Sequence, residues 1–293
     1  MWVPMTNGIL LALSAAVIYG FLGVSYEFAA KRLYNTWFVG MFMLFTGFVI
    51  GLAVTMVTGR LAWDARMLAF GALGGITFVL GNYWYLEASH EADIAANWTI
   101  CNLSVVLNIL FSVVWFKDPV TVSKGLGAAL TLSSIVTIGW SFPKLGKGRP
   151  SKRWFFLITL SFLINAVIPG QLRFVSGEQA ALFTTYLYGT GFLMFLLVVL
   201  ATRLRWDIAP GLIGASVSAA TTHWSGIMLT MFALGSISRV SRQAGLVVYP
   251  ITNGLVIPIG VILGALILKE KFSVGSKIGV GLGMAAVALL SMP

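Results

Sequence analysis

Charge is scarce in this sequence. Only 10% of the residues are Asp, Glu, Lys or Arg, whereas 58% are apolar, and the mean hydropathy is +0.93. Soluble domains carry roughly 25% charged and about 45–50% apolar residues, so a soluble fold could not hide this much apolar surface. Because a helix needs about 20 apolar residues to cross a bilayer, 293 residues provide for about ten spans with short loops. The composition predicts an integral membrane protein.

Cysteine and histidine are nearly missing, and this limits the chemistry that the chain can carry. The single Cys101 excludes an internal disulfide. Neither His90 nor His223 belongs to a nucleophile–base pair or to ligands spaced for a metal, and every Asp and Glu lies at or near the end of a predicted span. We therefore expect no catalytic residues, no metal and no cofactor, and hence no enzyme.

The net charge of +10 does not indicate a nucleic-acid partner. The Lys and Arg residues are scattered at span ends, where anionic lipid headgroups and membrane topology account for them. Counted at alternate span ends, they number twelve on one side and seven on the other. The positive-inside rule then places the central linker in the cytoplasm and both termini outside. The predicted location is a bacterial-type cytoplasmic (inner) membrane, crossed many times.

Charges, Pro/Gly pairs and polar clusters divide the apolar sequence into ten predicted spans. These are residues 8–28, 36–58, 67–86, 94–116, 121–140, 154–174, 179–201, 210–234, 243–268 and 273–291. The basic stretch 141–153 is the one that resembles a linker. It separates a predicted first five-helix repeat, residues 1–140, from a second, residues 154–293.

A shift of 152 residues aligns the fourth and fifth predicted spans with the ninth and tenth without a gap. In this register Lys117-Asp118 falls on Lys269-Glu270, and Gly127 falls on Gly279. Because five is an odd number, two such copies must cross the membrane in opposite directions, as in the inverted repeats of many secondary transporters. The predicted fold is all-α, with ten transmembrane helices in two inverted five-helix repeats, and this topology points to alternating access.

The second copy ends in a recognisable signature. Pro258 precedes the small apolar run 259–268, the turn Lys269-Glu270-Lys271-Phe272-Ser273 follows, and Gly279 lies in the last span. In these features the chain resembles the drug/metabolite transporter superfamily, in its ten-span, two-copy EamA-type form. That family usually has Gly before the Glu, where Lys269 stands, and the first copy has Val106 for the Pro and Asp118 for the Glu. The resemblance implies a transport fold and names no substrate.

One face of the fourth span is polar. Its residues recur at i, i+4, i+7 and i+11, which is one side of a helix: Asn97, Cys101, Ser104 and Asn108. The repeat shift carries them onto Tyr249, Asn253, Val256 and Gly260. Two matched faces that lipid would not solvate predict a shared central cavity. The alternative is that these side chains only hydrogen-bond neighbouring helices.

The predicted substrate-binding residues are Tyr19, Trp84, Asn97, Trp98, Cys101, Asn102, Asn165, His223, Trp224, Tyr249 and Asn253. His223 is the most deeply placed titratable group and a candidate for ion coupling, although a neutral histidine bonded to a neighbouring helix is a rival interpretation. The alternative role for Trp84 is to anchor the chain at the membrane interface. Glu27 is the second coupling candidate, with an interfacial salt bridge to Lys31 as its alternative.

With no buried charge to balance an ion, the predicted cavity suits a small neutral or zwitterionic polar metabolite, such as an amino acid or a sugar. The expected function is secondary active transport, with protons or another ion as a possible partner. A proton-coupled multidrug or cation exporter is the alternative if Glu27 faces the cavity, and a non-transporting membrane scaffold or sensor is a third. The chain is expected to be a monomer or a homodimer. Gly71, Gly74 and Gly75 permit close contacts within one chain or between chains.

Overall fold

The computed structural model describes residues 2–92, 94–116, 121–140, 151–172, 174–175, 177–206, 208–239, 244–269 and 272–290, and all regular structure in them is helical. Seven spans are unbroken: Trp2–Lys31, Thr36–Val57, Ala65–Ser89, Val122–Trp140, Ala180–Ala201, Pro210–Ser238 and Val274–Leu290. They are spans 1, 2, 3, 5, 7, 8 and 10. The turns at Lys117-Asp118 and Glu270-Lys271, and residues 141–150 of the predicted linker, lie outside the described residues.

Spans 4, 6 and 9 are broken, which corrects the prediction of continuous helices there. Span 4 consists of Ile94–Asn102 and Val105–Phe116, and span 6 of Lys152–Ile164 and Val167–Leu172. Span 9 consists of Ala244–Tyr249, a π-helix at Pro250–Gly254, and Val256–Ile267. Span 6 also begins earlier than predicted, because Ser151 caps it by accepting a hydrogen bond from the Trp154 backbone N–H.

Proline explains two of the three breaks. Pro169 has no N–H to donate to the carbonyl of Asn165, four residues earlier, and span 6 is interrupted at 165–166. Pro258 stands in the same relation to Gly254, where the π-helix of span 9 ends.

Span 4 breaks without a proline. Its turn at Leu103 and Ser104 falls on Leu255 and Val256 of span 9 under the repeat shift. The N–H groups of Ser104, Val106 and Leu107 bond to carbonyls three residues back, at 3.2, 3.0 and 2.9 Å, so a tight 3₁₀-like turn replaces the α-helical pattern. Both repeats therefore break at the same register.

Helix contacts between the halves come in matched pairs. Span 2 packs on its counterpart span 7, and span 5 on its counterpart span 10. The repeat also makes spans 1, 2 and 3 the counterparts of spans 6, 7 and 8. Accordingly, the contact of span 1 with span 8 is matched by that of span 6 with span 3, and the contact of span 2 with span 8 by that of span 7 with span 3. This pairing is that of two halves related by a two-fold axis in the membrane plane. The predicted fold class, a ten-span membrane protein of two inverted repeats, is confirmed.

The glycines of span 3 pack within the chain. A Cβ atom at Gly71 would overlap Tyr186, and one at Gly75 would lie 2.5 Å from the carbonyl oxygen of Leu187. One at Gly74 would lie 3.0 Å from the Leu187 side chain. These residues therefore bring span 3 against span 7 of the same chain, which settles the choice between contacts within one chain and between chains for this face.

Lys269 ends span 9 in a conformation that favours glycine. Its φ is 55°, in the left-handed region where a Cβ atom costs roughly 1–2 kcal/mol. This conformation gives a physical reason for the Gly that the family usually has at this position.

We predict that Lys269→Gly raises the free energy of unfolding by up to about 1 kcal/mol, because it removes the strained Cβ. The measurement is the apparent melting temperature of the detergent-purified protein. Lys269→Ala is the control, since it removes the charge and keeps the Cβ. An equal gain in Lys269→Ala would assign the effect to charge and contradict the prediction.

Candidate functional site

A cavity of about 110 Å³ lies between the two repeats, beside the helix breaks. A water molecule needs about 10–15 Å³ of cavity volume, so the cavity has room for roughly eight water molecules. Its aromatic lining residues are Tyr19, Tyr26, Phe78, Tyr85, Trp98 and Tyr249. Its polar ones are Thr77, Asn82, Cys101, Asn102, Ser161, Asn165, His223, Thr230, Thr252 and Asn253. None of the described lining residues is Asp, Glu, Lys or Arg.

The structure brings eight of the eleven predicted binding residues together in this lining. They are Tyr19, Trp98, Cys101, Asn102, Asn165, His223, Tyr249 and Asn253. They come from spans 1, 4, 6, 8 and 9, and both repeats contribute. Their role in binding a solute stays a prediction.

The other three predicted residues lie outside the lining. Asn97 is fully buried, but its Nδ2 donates to Ser89 Oγ at 3.2 Å and its Oδ1 accepts from Trp154 Nε1 at 2.8 Å. Its amide therefore ties span 4 to spans 3 and 6, as the packing alternative describes. Trp84 and Trp224 are half-buried and pack against the apolar core.

A closed cycle of hydrogen bonds joins the three broken spans. Each bond runs from a side chain that lines the cavity to a backbone carbonyl of another broken span. They are Trp98 Nε1 to Val256 O (3.2 Å), Tyr249 Oη to Pro169 O (2.5 Å) and Asn165 Nδ2 to Cys101 O (3.3 Å). We call this set the carbonyl cycle. It links span 4 to span 9, span 9 to span 6, and span 6 back to span 4.

The Trp98 indole is also clamped sterically. A Cβ atom at Gly23 of span 1 would lie 2.9 Å from its ring, and one at Gly260 of span 9 would lie 2.5 Å from it. Only glycine leaves room for the ring on both sides. Gly260 is the repeat counterpart of Asn108 and the last residue of the predicted face of span 9. Its small size makes room there for the aromatic ring of Trp98 from span 4.

His223 is held by two neighbouring spans. Its Nδ1 is 2.6 Å from Tyr188 Oη of span 7, and its ring stacks on Phe78 of span 3 with the centroids 4.5 Å apart. The structure thus contains the bond to a neighbouring helix that the rival interpretation requires, and the ring still lines the cavity. A coupling role for His223 stays a prediction.

Sequence reasoning chose Trp84 from span 3 and missed the residues of that span that line the cavity. Phe78, Asn82 and Tyr85 all line the cavity, and they stand at i, i+4 and i+7. The helical spacing that identified the polar face of span 4 was therefore present in span 3 as well, where aromatic residues made it less conspicuous.

Charged residues pair with one another on the face of the protein from which the predicted linker leaves. Arg153, in the first turn of span 6, lies 2.7 Å from Glu87 and 3.7 Å from Glu91. Ser151 Oγ donates to Glu91 at 2.5 Å, and Thr36 Oγ1 donates to Glu87 at 2.9 Å. These contacts join the start of span 6 to the end of span 3 and, through Glu87, to the start of span 2. We call Glu87, Glu91, Ser151 and Arg153 the linker-face clasp.

The opposite face has a wider cleft of about 890 Å³. Its lining includes Arg60, Glu178 and Arg239, and it shares Leu172 with the central cavity. Arg60 Nη1 donates to the Glu178 carbonyl at 3.3 Å. The central cavity therefore lies next to a cleft on this face, whereas none of the four clasp residues lines it.

Glu27 is 2% exposed and lies outside the lining of the cavity. Burial fits both the coupling role and the interfacial salt bridge, so both stay predictions. Among the described residues, no group of three or more His, Cys, Asp and Glu side chains is placed to hold a metal ion.

We predict that Tyr249→Phe lowers the stability of the protein by about 1 kcal/mol, because the Pro169 carbonyl loses its partner in the carbonyl cycle. The apparent melting temperature in detergent measures this loss. Tyr83→Phe, at a half-buried tyrosine that stacks on Trp37, is the matched control and should leave the melting temperature unchanged. Equal melting temperatures for Tyr249→Phe and wild type would argue against a structural role for the cycle.

Comparison with known proteins gives two positive findings. Residues 6–140 match the EamA-like transporter family, a family of transporters and not of enzymes. A crystal structure of another protein is similar over 97% of this chain and 96% of its own, with a TM-score of 0.64 and 14% sequence identity, which supports the fold alone. No curated protein matches significantly. The chain therefore carries an EamA-like transporter domain of the drug/metabolite transporter superfamily over residues 6–140, in a multi-pass membrane protein.

Proposed function

We propose that the protein is a secondary active transporter that moves a small neutral or zwitterionic polar metabolite, such as an amino acid or a sugar, by alternating access. The observation that carries this proposal is the uncharged cavity enclosed by both repeats at the breaks of spans 4, 6 and 9. In transporters with inverted repeats, discontinuous helices near the bilayer midplane form the substrate site. The family match over the first half supports transport as the general activity.

The lining favours an uncharged or internally balanced solute. A bare cation would need a carboxylate and a bare anion would need a basic side chain, and the described lining has neither. Amides and hydroxyls are available to hydrogen-bond polar groups, and six aromatic rings are available to pack against apolar ones. Because Glu27 lies outside the lining, this arrangement does not favour the cation exporter.

The two moving units in this proposal are residues 1–140 and 154–293, with the linker 141–153 in the cytoplasm of a bacterial-type cell. Rocking of one unit against the other would break the linker-face clasp and open the cavity to the linker face. His223 is the better candidate for ion coupling, because it lines the cavity and Glu27 does not. A scaffold or sensor would need no such cavity, and helix packing alone would favour filling it.

The direct test is solute counterflow in proteoliposomes. Vesicles that contain the purified protein and an unlabelled solute should accumulate the same labelled solute from outside, for at least one member of a panel of neutral and zwitterionic amino acids and sugars. A bulky thiol reagent should abolish this counterflow, because the only cysteine, Cys101, lines the cavity. Cys101→Ser should transport and resist the reagent, since serine keeps the contact to Ser161. Absence of counterflow across the panel, with the protein folded, would instead favour the scaffold or sensor.

The clasp gives a second prediction, which concerns access to the cavity. Arg153→Gln should raise the rate at which a membrane-impermeant thiol reagent, added on the linker face, modifies Cys101. The expected increase is roughly two- to five-fold, because exposed ion pairs are worth about 0.2–1 kcal/mol. Lys152→Gln removes the neighbouring exposed charge without touching the clasp and is the control. The same acceleration in both variants would mean that the clasp does not hold this face closed.

A further inference from the structure

One amide in the cavity differs from the other three. Asn102 Nδ2 donates to the Trp98 carbonyl at 2.8 Å, Asn165 Nδ2 to the Cys101 carbonyl at 3.3 Å, and Asn253 Nδ2 to the Tyr249 carbonyl at 3.1 Å. Asn82 is as buried as Asn102, with 5% of its surface exposed against 7%, yet neither its Nδ2 nor its Oδ1 has a hydrogen-bond partner in the protein.

An amide without partners is costly in a buried site. Each donor or acceptor left unsatisfied there costs about 1–3 kcal/mol, and nearly all buried polar groups in native proteins have a partner. Asn82 lines the cavity, so its partners are groups that enter the cavity. Packing does not explain the residue, since a leucine of similar size would fill the same place without the penalty.

Aromatic rings flank this amide. Phe78 and Tyr85 stand four residues before and three residues after Asn82 on the same helical face. The Tyr85 ring lies 5.5 Å from the Tyr26 ring and 5.9 Å from the Trp98 ring, measured between centroids. A flat solute that meets Asn82 edge-on would therefore have ring faces of spans 1, 3 and 4 on which to pack.

We propose that the cavity binds a flat, uncharged solute whose edge carries an N–H donor beside a carbonyl acceptor, as in a primary amide, a lactam or a nucleobase, and that Asn82 reads this edge. A carboxamide offers one donor and one acceptor side by side, and it pairs in a bidentate manner with a group that offers the complementary two. No protein contact fixes which way the Asn82 amide is turned, so it accepts the solute edge in either order. This inference names the substrate class of the proposed transporter and rests on that function.

The probes are benzamide and acetophenone. Both present a flat ring and a carbonyl, but only benzamide adds the N–H donor. Isothermal titration calorimetry on the detergent-purified protein should give benzamide a dissociation constant at least roughly ten-fold lower than that of acetophenone, as expected for one bidentate pair. In Asn82→Leu the two constants should agree to within about two-fold.

A second readout separates binding from folding. Asn82→Leu should melt, without ligand, at or above the temperature of wild type, because the amide has no partner to lose. Asn165→Leu is the matched comparison and should melt lower, since it breaks the carbonyl cycle. A drop in Asn82→Leu equal to that in Asn165→Leu would overturn the proposal by making Asn82 part of the fold.

Two further results would also overturn it: retention of the benzamide preference in Asn82→Leu, and equal or absent binding of both probes in wild type. The counterflow assay keeps this test apart from that of the proposed function. If sugars alone show counterflow and benzamide does not bind, the inference fails and transport stands. If benzamide binds through Asn82 and neither the panel nor labelled benzamide shows counterflow, the inference stands for the site and transport fails.

Discussion

Everything at the centre of this protein depends on one constraint of the bilayer: a backbone carbonyl or N–H that leaves a helix ladder must find its partner inside the protein. Three spans are broken, and each break frees such groups. The carbonyl cycle of Trp98, Tyr249 and Asn165 ties the three spans together beside these breaks, at the carbonyls of Val256, Pro169 and Cys101. The breaks lie between the repeats, and the side chains of the cycle form part of the wall of the cavity there.

This dual use changes how the polar residues of the site should be interpreted. Structural bonding and solute binding looked like competing explanations for the polar face of span 4, but Trp98 donates its indole N–H to a carbonyl while the residue lines the cavity. Loss of transport after its replacement would therefore not identify it as a binding residue. Asn82 differs, because its amide is bound to nothing in the protein, so effects of its replacement on stability and on binding can be separated.

The fold was predictable because lipid imposes it. Apolar runs located the ten spans, and the 152-residue shift located both the inverted repeat and the shared register of spans 4 and 9. The breaks were less accessible, since span 4 has Val106 where a proline would announce one. The helical spacing of the polar residues in span 4 also did not show which of them line the cavity and which pack against other helices. Cys101 lines the cavity, whereas Asn97, one turn earlier, bonds to Trp154 of span 6. The sequence does not show where span 6 packs, so it could not show which of the two residues faces the cavity.

The difference between the two faces is the last step of this reasoning. In an inverted repeat, the two access states are related by exchanging the conformations of the halves, so identical halves would populate both equally. The clasp pairs the start of span 6 with the end of span 3. Its symmetry counterpart would pair the start of span 1 with the end of span 8, and span 1 has no charged residue before Glu27. Among the described residues this charged pair is therefore found on one face only, so in the proposed transporter it would favour the access state that is closed at the linker face.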